Sequence, residues 1–337
     1  MSATEFPSLA DSFAALPHAG IVTVPAGLAL IRVAGNDAAT FLHSQLTNAV
    51  EDLPADAARL AGYCSAKGRL MASFLVWRDA EGIVLQLSAD IQPAIQKRLS
   101  MFVLRAKAKL SDLSATHRVL GVAGAGAEAA LKQAGLPAPQ GPLSAAHSDG
   151  VSVIRLADAE GEARWQIVAE SARAEALQQA LGATLAQAAP AFWDWLDIGA
   201  GIPRIAAATQ EQFVPQMINF ELIGGVNFRK GCYPGQEVVA RSQYRGTLKR
   251  RMWRVGGEGA VPAAATEIFR PEDPSQPCGM VVNAAPSPLG GWEGLAELKI
   301  DAAVAGALHL GAADGSPVST RALPYEVPLP NEAESAS

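Results

Sequence analysis

Residues 228–241 read FRKGCYPGQEVVAR and gather Lys230, Cys232, Tyr233, Gln236 and Glu237 within a few positions of one another. Tyr233-Pro234-Gly235-Gln236 matches a type II turn, in which proline sets φ at the second position and glycine accepts a positive φ at the third. Such a turn holds Cys232 at its entrance. It puts Gln236 and Glu237 at the start of the next element, where an acid suits a helix N-terminus. In extended chain a cation two residues away faces the same side as the thiol. Lys230, with Arg229 beside it, therefore favours the thiolate, the form that attacks electrophiles and binds metals. On residue types alone, a buried cysteine packed as a small hydrophobe beside a turn accounts for the stretch equally well.

The other candidate groups are sparser. Cys64, Cys232 and Cys278 are odd in number and widely spaced, which argues against a disulfide framework and suits a reducing cytosol. No C-x-x-C occurs, and the histidines at 18, 43, 117, 147 and 309 do not fall at metal-ligand spacing. GVAGAG, residues 121–126, fits neither a dinucleotide fingerprint nor a Walker motif and reads as a tight strand-to-helix turn. Trp193 and Trp195 stand two apart, so on a helix they face different sides. One is then free to stack on a flat ligand.

The net charge of −6 hides an asymmetry: eight Lys or Arg fall between Arg229 and Arg254 against one acid, Glu237. A second basic run, Lys97, Arg98, Arg105, Lys107 and Lys109, has no acid between Asp90 and Asp112. Each run is either a solvated face or an anion-facing patch for a polyanionic ligand. The acidic remainder argues against tight non-specific DNA binding.

The elements that must position these groups fit two or three domains in 337 residues. No stretch is long and apolar enough for a membrane helix, and the N-terminus lacks the pattern of a signal peptide, so a cytoplasmic protein is expected. Residues 20–115 read as an α+β unit, completed by 195–245. Residues 116–194 read β-α-β-β-α, the order of a ferredoxin-like domain. From 246 to 328, short β runs punctuated by Gly and Pro predict an antiparallel barrel or sandwich, and 329–337 a disordered tail. No internal repeat is visible.

KGCYPGQE (230–237) followed by VARSQYRG (239–246) resembles the signature of the YgfZ family, folate-binding proteins related to the aminomethyltransferase, or T-protein, of the glycine cleavage system. The resemblance extends to residues 33–50, 63–78, 97–110, 197–203, 213–232 and 323–328, nearly the whole chain. It implies a three-domain cloverleaf with a C-terminal β-barrel around a central folate channel. It also implies tetrahydrofolate or a derivative as cofactor, and Cys232, tuned by Lys230, as the working residue. Trp193, Asn219, Glu221, Tyr233, Gln236, Glu237 and Arg241 become candidate folate contacts, with Arg245 and Lys249 joining Arg241 at a polyglutamate tail. The implied role is maintenance or repair of iron–sulfur clusters in client enzymes. These include radical enzymes that methylthiolate tRNA, and a contact with tRNA, possible on this reading, is indirect.

The departures from the T-protein bear on activity. Its paired Asp-Asp aligns with Ala72-Ser73, and the acid of its P-x-E with Met217 in Pro215-Gln216-Met217. Without those carboxylates, folate binding without aminomethyl transfer is expected. Glu221 is near enough in sequence to replace one of them. Leu28 takes the place of an early aromatic, leaving Trp193 to stack alone. Two alternatives stay open: an active tetrahydrofolate-dependent C1 transferase, and an RNA-binding module acting on tRNA through the basic stretch.

Overall fold

The structure, a computed structural model, describes residues 6–244 and 248–328; Arg245 and the tail at 329–337 lie outside them. Helix α1 (Leu9–Ala15), capped by Ser8, leads into β1 (Ile21–Thr23). There follow β2 (Leu28–Ala34), α2 (Ala38–Gln45), β3 (Ala58–Cys64), β4 (Leu70–Asp79), β5 (Gly82–Ser88), α3 (Gln92–Phe102) and β6 (Lys109–Asp112). Strands β2–β6 make an antiparallel sheet in the order β3-β4-β5-β2-β6. The helices lie where apolar residues recur at helical spacing: α2 buries Phe41 and Leu42, and α3 buries Ile95 and Leu99.

A second unit continues through β7 (His117–Ala123), α4 (Ala127–Gln133), β8 (Ala145–Ser148), β9 (Val151–Arg155), β10 (Arg164–Glu170), α5 (Ser171–Leu181) and β11 (Ala186–Gln187). Its sheet runs β11-β1-β7-β10-β9-β8. Strand β1 enters between β7 and β11, so by pairing it belongs to this sheet although its residues fall within the 20–115 stretch. With β1 set aside, the two units share one plan. Each runs β-α-β-β-β-α-β, and in each the strands lie last, first, fourth, third, second. That is a ferredoxin-like core with one added edge strand. The backbone thus repeats where the sequence shows no repeat, and β5 and β10 are equivalent strands. Gly124, at φ +95°, sits where a Cβ would meet the Leu16 carbonyl at 2.1 Å, so GVAGAG is a close-packed turn.

Helix α6 (Pro190–Gly199), two 3₁₀ turns and α7 (Gln236–Tyr244) carry the chain back across the first unit. The remaining strands, β12 (Arg250–Gly257), β13 (Glu267–Phe269), β14 (Gly279–Pro286), β15 (Trp292–Lys299), β16 (Leu308–Leu310) and β17 (Ser316–Arg321), close an antiparallel barrel. Helix α8 (Ile300–Ala305) lies between β15 and β16. Of the two forms the sequence allowed, barrel and sandwich, the barrel is the one formed. Separate apolar clusters fill the second unit and the barrel, and a larger one fills the first unit and the seams around it. Among the described residues, no helix is long and apolar enough to cross a membrane.

Candidate functional site

The Tyr233–Gln236 turn forms as its residues dictate: Gly235 has φ +77°, and the Gln236 N–H donates to the Tyr233 carbonyl at 3.2 Å. The turn is pressed against the one joining β3 to β4. A Cβ on Gly235 would lie 2.3 Å from the Ser65 carbonyl and 2.7 Å from Gly68. Cys232 is exposed at its entrance, whereas Cys64 and Cys278 are buried. Burial pushes the Cys64 thiol up to about 12 and raises that of Cys278. Lys230 does not project into solvent. Its Nζ donates to the Leu46 carbonyl at 2.7 Å and to the His43 carbonyl, closing the C-terminal end of α2, and it lies 4.9 Å from the centre of the Tyr233 ring. Burial holds this ammonium down at about 8, with Glu51 and Cys232 pulling the other way. Tyr233 is itself buried, and burial raises its phenol.

A cavity of about 440 Å³ opens elsewhere, between the two sheets and the 323–328 segment. Its walls are largely apolar, with Leu28, Leu75, Leu87 and Phe220 among them. Polar groups enter from Ser73, Gln86, Arg164, Gln166, Arg204 and Tyr325. Gln86 stands on β5 and Gln166 on the equivalent strand β10. Gln86 Oε1 and Gln166 Nε2 are buried without a hydrogen-bond partner. A buried amide atom left unpaired costs free energy, about 1–3 kcal/mol, so an acceptor–donor pair at this wall is poised for a polar ligand. A mainly apolar cavity with a few convergent polar groups is the usual form of a small-molecule site.

Of the residues singled out in the sequence, only Trp193 and the two substituted positions Leu28 and Ser73 line this cavity. Trp193 is 1% exposed: a Cβ on Gly121 would touch its ring at 2.4 Å, and the Arg164 guanidinium stands 5.3 Å from the ring centre. Asp197 fixes that guanidinium at 2.6 Å. Trp195 is buried as well, against Phe13 and Phe192, so neither tryptophan is left over for solvent.

Asn219 and Glu221 flank Phe220 but turn toward the barrel. The Asn219 amide bonds the Met252 backbone at 2.8 and 3.2 Å, and Glu221 pairs with Arg251, both carboxylate and guanidinium being about 5% exposed. Burial raises the Glu221 carboxyl against the pull of Arg251. Gln236 opens α7, while Glu237 and Arg241 pair with each other at 2.8 Å on its exposed face. Tyr233, Gln236, Glu237 and Arg241 thus stand with the thiol loop and not at the cavity. The basic run from 229 is also less of a patch than its composition suggests. Arg250 meets Glu297 at 2.6 Å, Arg251 meets Glu221, and Arg254 meets Glu293 at 2.5 Å and Glu160 at 2.7 Å. Those acids are remote in sequence, so a linear count of charge misses the pairing.

Two relatives decide the family. Over 254 residues the chain is 32% identical to the tRNA-modifying protein YgfZ of Vibrio vulnificus (strain CMCP6), covering 75% of each chain. Over 246 residues it is 34% identical to the tRNA-modifying protein YgfZ of Cronobacter sakazakii (strain ATCC BAA-894), covering 71% of this chain and 72% of the relative. The chain belongs to the YgfZ family. No family model matches it. Among solved structures, aminomethyltransferase T of the glycine cleavage system from Bartonella henselae superposes with a TM-score of 0.78 at 18% identity, over 94% of this chain and 89% of the other. The YgfZ chain therefore has the three-domain cloverleaf of the T-protein fold.

Sequence reading missed Gln86, Gln166, Arg164, Arg204 and Tyr325. The available signal was a lone glutamine inside each of two apolar runs, IVLQL and WQIVA. In a YgfZ chain with buried sheets, such a residue marks either an internal bond or a ligand.

Proposed function

We propose that this chain is a YgfZ-type accessory protein of the cytoplasm. It binds a folate in the 440 Å³ cavity and uses Cys232 to support assembly or repair of iron–sulfur clusters in client enzymes, among them enzymes that methylthiolate tRNA. The tRNA context is that of the relatives' name, tRNA-modifying protein. The observation that carries the reading is the exposure of Cys232, on a turn pinned by Gly235 and Gly68, while the other two thiols are buried. In the proposed step the S–H bond breaks, its proton goes to solvent, and a sulfur lone pair forms a bond to iron of the client's cluster, with no change of oxidation state. Lys230 acts as a positioning residue, tying the loop to the end of α2.

The cavity suits a flat heterocycle that carries both hydrogen-bond donors and acceptors on its edge, as a pteridine does. Gln86 and Gln166 would meet that edge, and the leucines would cover its faces. When bound, a tetrahydrofolate supplies a one-carbon carrier. Two acids do line the cavity, Asp158 and Asp197, but each is paired with an arginine, Arg155 and Arg164. The Ser73 hydroxyl already accepts the Ile205 N–H at 3.0 Å, and the Glu221 carboxylate is turned to Arg251. That favours binding without aminomethyl transfer.

The test is Cys232→Ser. We expect unchanged folate binding by calorimetry and an unchanged melting transition, with loss of the protein's support of tRNA methylthiolation. Full support by the serine variant would remove the thiol from the function.

A further inference from the structure

We propose that the end of α3 is an RNA-docking surface. The phosphates of a folded RNA lie on Lys97, Arg98, Arg105, Lys107 and Lys109, and its unstacked bases on Met101, Phe102 and Leu104. Helix α3 buries Gln92, Ile95 and Leu99, and then the apolar residues at its end and just past it turn outward: Met101 is 66% exposed, Phe102 45% and Leu104 86%. Leu104 takes φ +47°, a backbone region that disfavours a leucine, so a strained backbone presents this side chain to solvent. Contiguous exposed apolar side chains mark interaction sites.

Charge selects the occupant. All five cations are exposed, and among the described residues none forms a salt bridge, in contrast to Arg250, Arg251 and Arg254. A half-buried acid adjoins them: Asp37, whose carboxylate accepts the Lys107 backbone N–H at 2.7 Å. The Arg98 guanidinium stands 6.0 Å from the centre of the Phe102 ring, a planar cation over an aromatic ring. Stacking surfaces bordered by unpaired cations are how proteins hold unpaired bases together with their phosphates. The surface adjoins the thiol loop: Arg98 lies beside the Tyr63 phenol, Tyr63 bridges to Leu46, and the Leu46 carbonyl holds Lys230. The inference does not depend on what Cys232 does.

Fluorescence anisotropy of an unmodified tRNA transcript with the full chain tests it, over salt from about 0.05 to 0.3 M. Arg98→Glu with Arg105→Glu is expected to weaken binding at least about tenfold, and to flatten the slope of log affinity against log salt by about 1–2. Leu104→Ser should weaken binding several-fold with the slope unchanged, because it removes contact and not charge. Circular dichroism and folate calorimetry, which read the fold and the cavity, should not move. Wild-type affinity and slope in the charge-reversed variant would overturn the proposal. So would a wild-type protein that ignores the transcript yet binds vesicles of phosphatidylglycerol, which would make the face a membrane surface.

Discussion

Gly68 and Gly235 oppose each other across the contact between the β3–β4 turn and the thiol loop. Both have positive φ, and each occupies space that a Cβ on the other would need. A Cβ on Gly68 would lie 2.7 Å from that of Val238 and 3.1 Å from the Gly235 carbonyl. The loop carrying Cys232 is thus seated on the first sheet through two residues that neither loop can replace.

Gly68→Ala is therefore expected to lower stability by about 1–3 kcal/mol, combining strain at positive φ with the forced contact. It should also change the rate at which Cys232 is alkylated, because the seat of the loop shifts. Urea unfolding followed by iodoacetamide kinetics on the folded protein measures both. An unchanged alkylation rate would mean that the loop holds its shape without the glycine pair.

Lys230 gives the loop a pH signature. Its folded value of about 8 lies below the 10.5 of a free lysine, so between the two the unfolded chain binds more protons than the folded one. Stability from this group therefore rises with pH across that window, as the buried charge is released. Because the side chain is only partly buried, the gain is on the order of 1 kcal/mol. Lys230→Met should lack this rise, so unfolding curves at several pH values from about 7 to about 9.5 should diverge between variant and wild type.

Gly121 leaves room for the Trp193 ring, and Gly121→Ala would place a methyl group 2.4 Å from it. The ring must then shift against Arg164 or into the cavity. Folate binding by calorimetry is expected to weaken about tenfold, with a destabilisation of about 1–3 kcal/mol. Cys232 alkylation should be unaffected, since no thiol-loop residue lines the cavity.

Local patterns were legible in the sequence wherever a face or a turn dictated them. GIVLQLS and RWQIVAE form strands as short apolar runs largely buried on both faces, and SARAEALQQAL forms the helix that its spacing requires. Tyr233-Pro234-Gly235-Gln236 folds as its proline and glycine demand. What depends on distant partners was not legible. The basic residues at 250, 251 and 254 meet acids far along the chain, and 116–194 carries β8 and β11 beyond the β-α-β-β-α order read there. The residues of β1 lie 98 to 102 positions from their register partners on β7, and no local pattern encodes such a pairing. Asn219 and Glu221 carry polar groups suited to a ligand, yet their bonds run to the barrel strand.

Strand β1 also constrains how the molecule can be made. Its residues are made before the first sheet, but β7 and β11, the strands on either side of it, are synthesised only after that whole sheet. The first sheet can therefore close while β1 is still unpaired, and the second cannot be completed by residues 116–194 alone. A fragment beginning at 116 would leave β7 and β11 separated by an empty lane, with two unsatisfied edges prone to aggregation. Residues 21–23 thus act as an inserted wedge that ties the second folding unit to chain made before the first.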